Sequence, residues 1–211
     1  MIDPCFSVQL KGMKRWKQNE TDLMAEVLRN DGVISVVTDT VYGVCARTAS
    51  REAEEKLREV KNRPQAKSFP LMCADLDQLK TVAVTDERSE KVIRELMPGP
   101  LTVILKKRQE VPSYVSGGKD TLALRLAGSS ALKDLIRKTG CPIFLTSANQ
   151  SGQPECRTLE EIEENCHLLD GMMEGEPSFG KASTILDLTK EKPVILREGP
   201  VSMDTITEVL K

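Results

Sequence analysis

The regular alternation of amphipathic helical segments with short apolar strands is the feature that most constrains the fold of this chain. Helices are predicted from Asn19 to Asp31–Gly32, over Arg51–Lys61, over Asp86–Met97, from Ser129 to Lys138, over Arg157–Cys166 and from Met203 onward. Strands are predicted over Val33–Val37, Phe69–Cys73, Leu101–Leu105, Thr121–Leu126, Ile143–Thr146, Thr184–Leu188 and Val194–Arg197. This order predicts an α/β domain with a largely buried sheet.

The chain reads as one domain. Its 211 residues contain no internal repeat, no low-complexity linker and no break in composition. We therefore expect a single domain over residues 1–211, in which residues 1–18 form an N-terminal extension.

Composition argues against several classes of function. The net charge is −2 and aromatic residues make up only 3% of the chain, which argues against RNA binding as the main role. No run approaches the ~18 apolar residues that a membrane span needs, and Met1–Pro4 lacks a signal pattern. The six cysteines form no CxxC pair, which favours reduced thiols packed as small core residues. We therefore expect a cytoplasmic protein without membrane contact.

Nucleophile–histidine chemistry has little support in the sequence. His167 is the only histidine, so a serine–histidine hydrolase and a histidine-based metal site are both disfavoured. The segment Gly175–Lys181 matches the GxxxxGK part of a P-loop. Ala182 stands where a P-loop carries Ser or Thr, and a strand rather than a helix is predicted to follow.

Two pairs of polar residues suggest an anion site. Lys61 and Arg63 lie just before Pro64 at the end of a helix, while Ser147 and Asn149 follow an apolar strand. Taken alone, Lys61 and Arg63 are more readily explained as solvated cations that complement the helix dipole.

Arginines inside apolar strands give a stronger signal. Arg125 lies within Leu122–Leu126 and Arg197 ends Val194–Arg197, where each costs free energy unless it is paired with an anion. Their positions favour a ligand site at the carboxyl ends of the strands. The segment Thr38–Gly43 is either a simple turn or a hydroxyl-rich loop that recognises a small polar substrate.

Four sequence blocks give the chain a specific resemblance. They are Thr38–Gly43, Lys61–Pro64, Met97–Thr102 and Thr146–Gly152, extended by Ser183–Ile185 and Leu196–Gly199. In this order they resemble the YrdC-type threonylcarbamoyl-adenylate synthases, over about residues 19–201. Within that family the chain is most similar to the short, single-domain type.

The resemblance implies a fold and an activity. The fold is a twisted open mixed α/β sheet flanked by helices, with a large concave positive cavity. Family members are nucleotidyltransferases that join L-threonine, bicarbonate and ATP into threonylcarbamoyl-AMP and pyrophosphate. A threonylcarbamoyl transferase complex then uses this product to modify adenosine 37 of tRNA. The resemblance also implies Mg²⁺ bound mainly through phosphates, no protein metal site, and a possible contact with tRNA.

By the same resemblance, individual residues acquire roles. The catalytic signature falls on Lys61, Arg63, Ser147 and Asn149. ATP is expected at Lys61, Arg63, Thr121, Ser147 and Arg197, and threonine at Thr38, Thr40, Tyr42, Arg125 and Ser183. Two alternatives stay open: a paralogue of the same fold that acts on another carbamoyl-type substrate, and an RNA-binding module associated with translation.

Overall fold

The computed structural model describes residues 13–178 and 182–211, which form ten strands and eight helices. In chain order these are β1 (Arg15–Trp16), α1 (Thr21–Arg29), β2 (Ile34–Val37), β3 (Tyr42–Arg47), α2 (Arg51–Lys61), β4 (Leu71–Cys73), α3 (Leu76–Val82), α4 (Glu87–Leu96), β5 (Leu101–Lys106), α5 (Ser113–Ser116), β6 (Thr121–Leu126), α6 (Ser130–Thr139), β7 (Ile143–Ser147), α7 (Leu159–Asn165), β8 (Gly171–Met173), β9 (Thr184–Asp187), β10 (Val194–Arg197) and α8 (Met203–Val209).

One sheet contains all ten strands, in the order β1-β8-β2-β3-β7-β4-β6-β5-β9-β10. The pairs β1/β8, β2/β8, β4/β6 and β5/β9 are parallel, and the other five pairs are antiparallel. The predicted α/β class with an open mixed sheet is confirmed. Helices cover the sheet, for example α2 against β3 and α3 against β4 and β6, while α1 packs on α6.

The ends of helix α2 follow directly from its sequence. The Ser50 side chain accepts a hydrogen bond from the Ala53 N–H at the first turn. Asn62 ends the helix in the left-handed conformation, with φ of 45°. The predicted bounds are confirmed, and they place Lys61 in the last helical turn and Arg63 on the loop that follows.

Five elements escaped prediction: β1, β3, α3, α5 and β8. The interpretation of Thr38–Gly43 as a turn or loop is wrong for Tyr42 and Gly43, which begin β3. Strand β3 is buried over most of its length on both faces, so it lacks the alternation that identifies a half-exposed strand. Position 43 of this strand is a glycine because a Cβ there would lie only 2.6 Å from the Leu145 side chain.

The N-terminal segment contributes to the sheet. Arg15–Trp16 pairs in parallel with β8, and the Trp16 side chain is buried. Residues 1–12 of the predicted extension, including Cys5, lie outside the described residues. Whether residues 1–211 form one domain stays a prediction.

The cysteines outside that segment are free thiols, and most of them lie in the core. Cys45, Cys73, Cys156 and Cys166 are buried, and Cys141 is half-buried. Their predicted packing as small core residues is confirmed for these four. In the part of the chain that the structure describes, no helix is both long and apolar enough to cross a membrane.

Candidate active site

A concave cavity of about 350 Å³ lies over the middle of the sheet. Seven consecutive strands in sheet order, from β3 to β10, contribute to its wall. The polar lining comes from Thr38, Thr40, Arg63, Ser68, Thr102, Arg125, Thr146, Ser147, Glu155, Ser183 and Arg197. The volume falls within the ~300–1,000 Å³ range of small-molecule sites. The predicted concave cavity is therefore confirmed.

The cavity is cationic. Among the lining side chains, Arg63, Arg125 and Arg197 are positive, and Glu155 is the one carboxylate. These arginines come from distant parts of the sequence and converge because their strands and loops are neighbours in the sheet. Outside residues 1–12 and 179–181, the chain contains no cluster of three or more His, Cys, Asp or Glu side chains that could hold a metal.

Arg125 is buried and already paired. Its Nη2 donates to Asp39 Oδ1 at 2.6 Å, its Nη1 to Thr40 Oγ1 at 2.8 Å and its Nε to the Gly99 carbonyl at 3.1 Å. Burial lowers the pKa of Arg125, and the nearby Asp39 charge opposes that shift. The sequence argument that this arginine needs an anion is confirmed, and the anion in the free protein is Asp39.

Arg197 holds the loop before β9. Its Nη2 donates to the Ser183 carbonyl at 2.7 Å, and its Nε donates to the same oxygen at 3.1 Å. The Ser183 hydroxyl lies 2.7 Å from Thr102 Oγ1. The charge of Arg197 contributes to lowering the pKa of Arg125, after burial, so these two guanidiniums share one region of the cavity.

Lys61 is buried behind the turn that carries Ser147 and Asn149. Its Nζ donates to the carbonyls of Ser147 and Asn149 and to Asn149 Oδ1, the last at 2.6 Å. Ser147 Oγ donates to the same Oδ1 at 2.8 Å. The Nζ of a lysine has three hydrogens, so these three acceptors account for all of its donors. Lys61 therefore fixes this turn, and its contact with phosphate stays a prediction.

Burial also changes the acidity of Lys61. It lowers the pKa of this ammonium group to about 8, and the positive charge of Arg63 acts in the same direction. The side chain is only 1% exposed. The group that holds the Ser147–Asn149 turn can therefore lose its proton close to neutral pH.

Arg63 reaches the cavity from the loop after α2. Its Nη2 donates to the Ser68 carbonyl at 2.7 Å and its Nε to the Lys67 carbonyl at 3.2 Å. Burial lowers the pKa of Arg63, and the neighbouring Arg58 charge adds to the shift. Since Arg63 forms no ion pair with the described residues, its charge is uncompensated at this wall of the cavity.

The structure brings most of the predicted site residues together. Thr38, Thr40, Arg63, Arg125, Ser147, Ser183 and Arg197 all line the cavity. Lys61 and Asn149 lie immediately behind the wall. Two further expected residues do not line it either. The Tyr42 hydroxyl donates to the Gly175 carbonyl, and Thr121 lies on β6 two residues, or about 7 Å, beyond Ala123 in the wall.

Sequence reasoning missed several residues of this region. It considered Asp39 only as part of the Thr38–Gly43 turn or loop and gave Glu155 no role. The need of Arg125 for an anion was a usable signal, but Asp39 lies 86 residues away in the sequence, so only the fold identifies it as the partner. The P-loop hypothesis for Gly175–Lys181 falls partly on residues 179–181, which lie outside the described residues. The strand predicted to follow that segment is present as β9.

The fold and the cavity together define an α/β protein with a cationic cavity on one face of an open mixed sheet. The sequence profile of the Sua5/YciO/YrdC family, described as "Telomere recombination", matches residues 26–199. The chain belongs to this family.

Several sequence relatives are named threonylcarbamoyl-AMP synthases. The chain is 31% identical over 204 residues to the threonylcarbamoyl-AMP synthase of Pyrococcus abyssi, covering 94% of this chain and 58% of that protein. It is 32% identical over 214 residues to the threonylcarbamoyl-AMP synthase of Bacillus subtilis, covering 93% of this chain and 61% of that protein. The chain thus spans about 60% of the length of these two relatives.

Solved structures show the same fold. P. abyssi Sua5 complexed with L-threonine superposes with a TM-score of 0.87 at 29% identity, covering 94% of this chain and 60% of that one. Escherichia coli YciO superposes with a TM-score of 0.83 at 26% identity, covering 92% of this chain and 99% of that one. The expected YrdC-like fold is confirmed.

Proposed function

We propose that this chain is an L-threonylcarbamoyladenylate synthase, a nucleotidyltransferase that condenses L-threonine, bicarbonate and ATP. The observation that carries the proposal is the convergence of Arg63, Arg125 and Arg197 on one cavity that also presents several hydroxyl groups. A reaction that assembles a carboxylate, a carbamate and a triphosphate in one place needs cations to offset their mutual repulsion. The named relatives support the assignment.

The chemistry proceeds in two steps. The neutral threonine amine attacks the carbon of bicarbonate, and loss of water gives the N-carboxylate. An oxygen of this carbamate then attacks the α-phosphorus of ATP, and cleavage of the bond to the bridging oxygen releases pyrophosphate. Both steps depend on holding reactants at close range, so proximity and charge stabilisation supply most of the catalysis.

The cavity divides this work between its two ends. In the proposal, Arg63 binds the triphosphate, and Ser147 and Asn149 orient the reacting groups on the turn that Lys61 holds. Arg125 faces the threonine carboxylate, and the hydroxyls of Thr38, Thr40 and Ser183 surround the amino acid. Arg197, which shares one region of the cavity with Arg125, binds on the nucleotide side. Since the described residues contain no cluster of metal ligands, phosphate oxygens of the nucleotide would hold any Mg²⁺, and the ion would neutralise part of the phosphate charge.

Product identification tests the proposal. The protein is incubated with threonine, isotopically labelled bicarbonate and ATP, and the products are separated and weighed by mass spectrometry. We expect labelled threonylcarbamoyl-AMP and pyrophosphate, and neither product when threonine is omitted. Hydrolysis of ATP without the labelled adduct would contradict the proposal.

The likeness to E. coli YciO supports a second candidate, a paralogue that acts on another carbamoyl-type substrate. That protein matches nearly end to end, whereas the synthases of P. abyssi and B. subtilis extend well beyond the matched region. Replacing threonine and bicarbonate by carbamoyl phosphate separates the two: turnover with carbamoyl phosphate alone favours the paralogue. A salt-dependent shift of tRNA with no adenylate formation would favour the RNA-binding alternative.

Downstream, the product is a mixed anhydride that must pass to a transferase. We propose that a threonylcarbamoyl transferase complex accepts it and modifies adenosine 37 of tRNA in the cytoplasm. Addition of such a complex and unmodified tRNA to the reaction should yield the modified nucleoside. Unmodified tRNA in the presence of confirmed threonylcarbamoyl-AMP would count against this partner.

A further inference from the structure

A buried ion pair lies behind the loop that carries Arg63. Glu54 and Arg58 are one turn apart on α2, with 2.5 Å between Glu54 Oε1 and Arg58 Nε, and each side chain is only 6% exposed. The neighbouring pair on the same helix, Arg51 and Glu55, has the same spacing but is 70% and 53% exposed. Burying two charges costs desolvation energy, so the inner pair calls for a structural or functional explanation.

Arg58 closes the loop between α2 and β4. Its Nη1 donates to the Pro64 carbonyl at 2.9 Å and to the Lys67 carbonyl at 3.1 Å. The Lys67 carbonyl is also the acceptor for Arg63 Nε. The two guanidinium groups are therefore connected through one backbone oxygen.

Phe69 provides a second connection between the same two groups. Its ring centroid lies 5.0 Å from the Arg58 guanidinium carbon and 4.8 Å from that of Arg63. The ring is buried and packs against Phe144 at 5.8 Å between centroids. Because Phe69 is anchored in the core, it gives Arg63 a rigid surface on which to lie.

We propose that Glu54 and Arg58 are positioning residues for Arg63. Glu54 neutralises Arg58, which would otherwise repel Arg63 across the shared ring. Arg58 in turn fixes the Pro64 and Lys67 carbonyls, so that Arg63 presents its remaining N–H groups to the cavity. The placement of Arg63 follows from these contacts alone, whereas its consequence for ATP rests on the proposed function.

The test removes the pair without leaving a lone buried charge. The double variant Glu54→Gln/Arg58→Met keeps similar side-chain volume, and such replacements are commonly neutral or stabilising. The matched control is Glu55→Gln/Arg51→Met, which removes the exposed pair from the same helix. Denaturant unfolding identifies the folded variants. The single variant Arg58→Lys serves as a second probe, because it keeps the positive charge but loses the planar guanidinium that donates to several acceptors at once.

A spectroscopic readout is independent of activity. In the unmodified protein, the Phe69 ring should shift the NMR signals of the Arg63 Nε–H and δ-methylene groups. We expect these signals to move toward their values in an unstructured peptide in Glu54→Gln/Arg58→Met and to stay unchanged in the control. Unchanged Arg63 signals in the double variant would overturn the proposal.

Kinetics then test the consequence for the nucleotide. The KM for ATP should rise roughly tenfold in Glu54→Gln/Arg58→Met, while the KM for threonine stays within about twofold. In an Arg63→Ala background, the same double substitution should have no further effect on the KM for ATP. An equal rise in the KM for ATP with Arg63 present and in the Arg63→Ala background would show that the Glu54–Arg58 pair does not act through Arg63.

Failure of the proposed function gives a different result. If the unmodified protein forms no adenylate, inorganic tripolyphosphate replaces ATP as a calorimetric probe of Arg63. Weaker tripolyphosphate binding in the double variant, and unchanged binding in the control, would still support the positioning role. Equal tripolyphosphate binding by the double variant and the control would overturn the positioning role.

Discussion

The two ends that the proposed function gives to the cavity hold their arginines in different ways. Arg125 lies inside a strand and donates to the carboxylate of Asp39, so its charge has a counter-ion before any ligand arrives. Arg63 lies on a loop and donates to two backbone carbonyls, which orient the guanidinium without neutralising it. One end is therefore charge-compensated and the other is not.

This difference matches the charges of the proposed substrates. An amino acid is a zwitterion, and a region with both a cation and an anion accommodates it without a net change in charge. A triphosphate is a polyanion, and an arginine without a counter-ion attracts it most strongly. Under the proposed function, threonine therefore binds at the Arg125 end and ATP at the Arg63 end.

The largest effect is expected for Lys61→Ala, which affects the turn between the two ends. The change leaves the Ser147 and Asn149 carbonyls and Asn149 Oδ1 without their shared donor. We expect kcat/KM for ATP to fall roughly a hundredfold to a thousandfold, the range seen when a hydrogen-bond donor that stabilises the transition state is removed. Lys67→Ala, an exposed lysine on the following loop, is the control. Similar losses in both variants would contradict this role.

The next prediction compares the two arginines directly. Arg63→Ala should raise the KM for ATP, and Arg125→Ala should raise the KM for threonine, each by roughly tenfold to a hundredfold. In each variant, the KM for the other substrate should change much less. Steady-state kinetics with one substrate varied and the other saturating measure the pattern. Equal loss of both affinities in either variant would break the assignment of the two ends.

Asp39→Asn tests whether charge compensation matters. Without the carboxylate, the Arg125 end becomes net positive, so the KM for threonine should rise by roughly threefold to tenfold. The matching α-hydroxy acid, which lacks the ammonium group, should bind more tightly to this variant than to the unmodified protein. Competition assays measure both affinities. Parallel weakening of both ligands would show that Asp39 acts only through the fold.

The acidity of Lys61 gives a prediction for pH. Burial lowers its pKa to about 8, and a neutral amine has one fewer hydrogen to donate to the turn. At saturating substrates, kcat should fall severalfold as the pH rises through about 8. The residual activity of Lys61→Ala should lack this descending limb.

Stability should respond to the same titration in the opposite direction. In the unfolded chain, Lys61 keeps its ordinary pKa of about 10.5, so between about pH 8 and that value the unfolded state binds more protons. This group therefore raises the free energy of unfolding as the pH rises through that interval. Denaturant titrations of the unmodified protein and Lys61→Ala isolate this contribution. A loss of stability specific to Lys61 would contradict the assignment.

The smallest effect is expected for Thr121→Ala. Thr121 was predicted to bind ATP, but it does not line the cavity and lies beyond Ala123 on β6. We expect the KM for ATP to change by less than about twofold, as for a surface substitution away from a site. Ser147→Ala, in the wall, is the comparison. A tenfold rise in the KM for ATP in Thr121→Ala would show that the nucleotide extends along β6.

Most helices and strands could be predicted from local sequence, whereas the roles of the site residues were predicted from the family resemblance. Helix α2 has the predicted bounds because its capping residue and its terminator, Ser50 and Asn62, are both within the segment. Strand β3 was missed because it is buried on both faces and begins with Tyr42–Gly43. From the sequence alone this segment resembles a turn, because only the fold shows that the Leu145 side chain packs closely against Gly43. Interactions within one segment can be read from the sequence, whereas contacts between segments cannot.

The sequence by itself determined the α/β class, the family and the list of polar residues from which the site is built. Only the tertiary structure decided what each charge contacts. It paired Arg125 with Asp39, placed Lys61 behind the turn rather than in the cavity, and buried Glu54 with Arg58. The physical reason is that the strength of a charge interaction depends on burial and on separation in space, and neither quantity is encoded in local spacing.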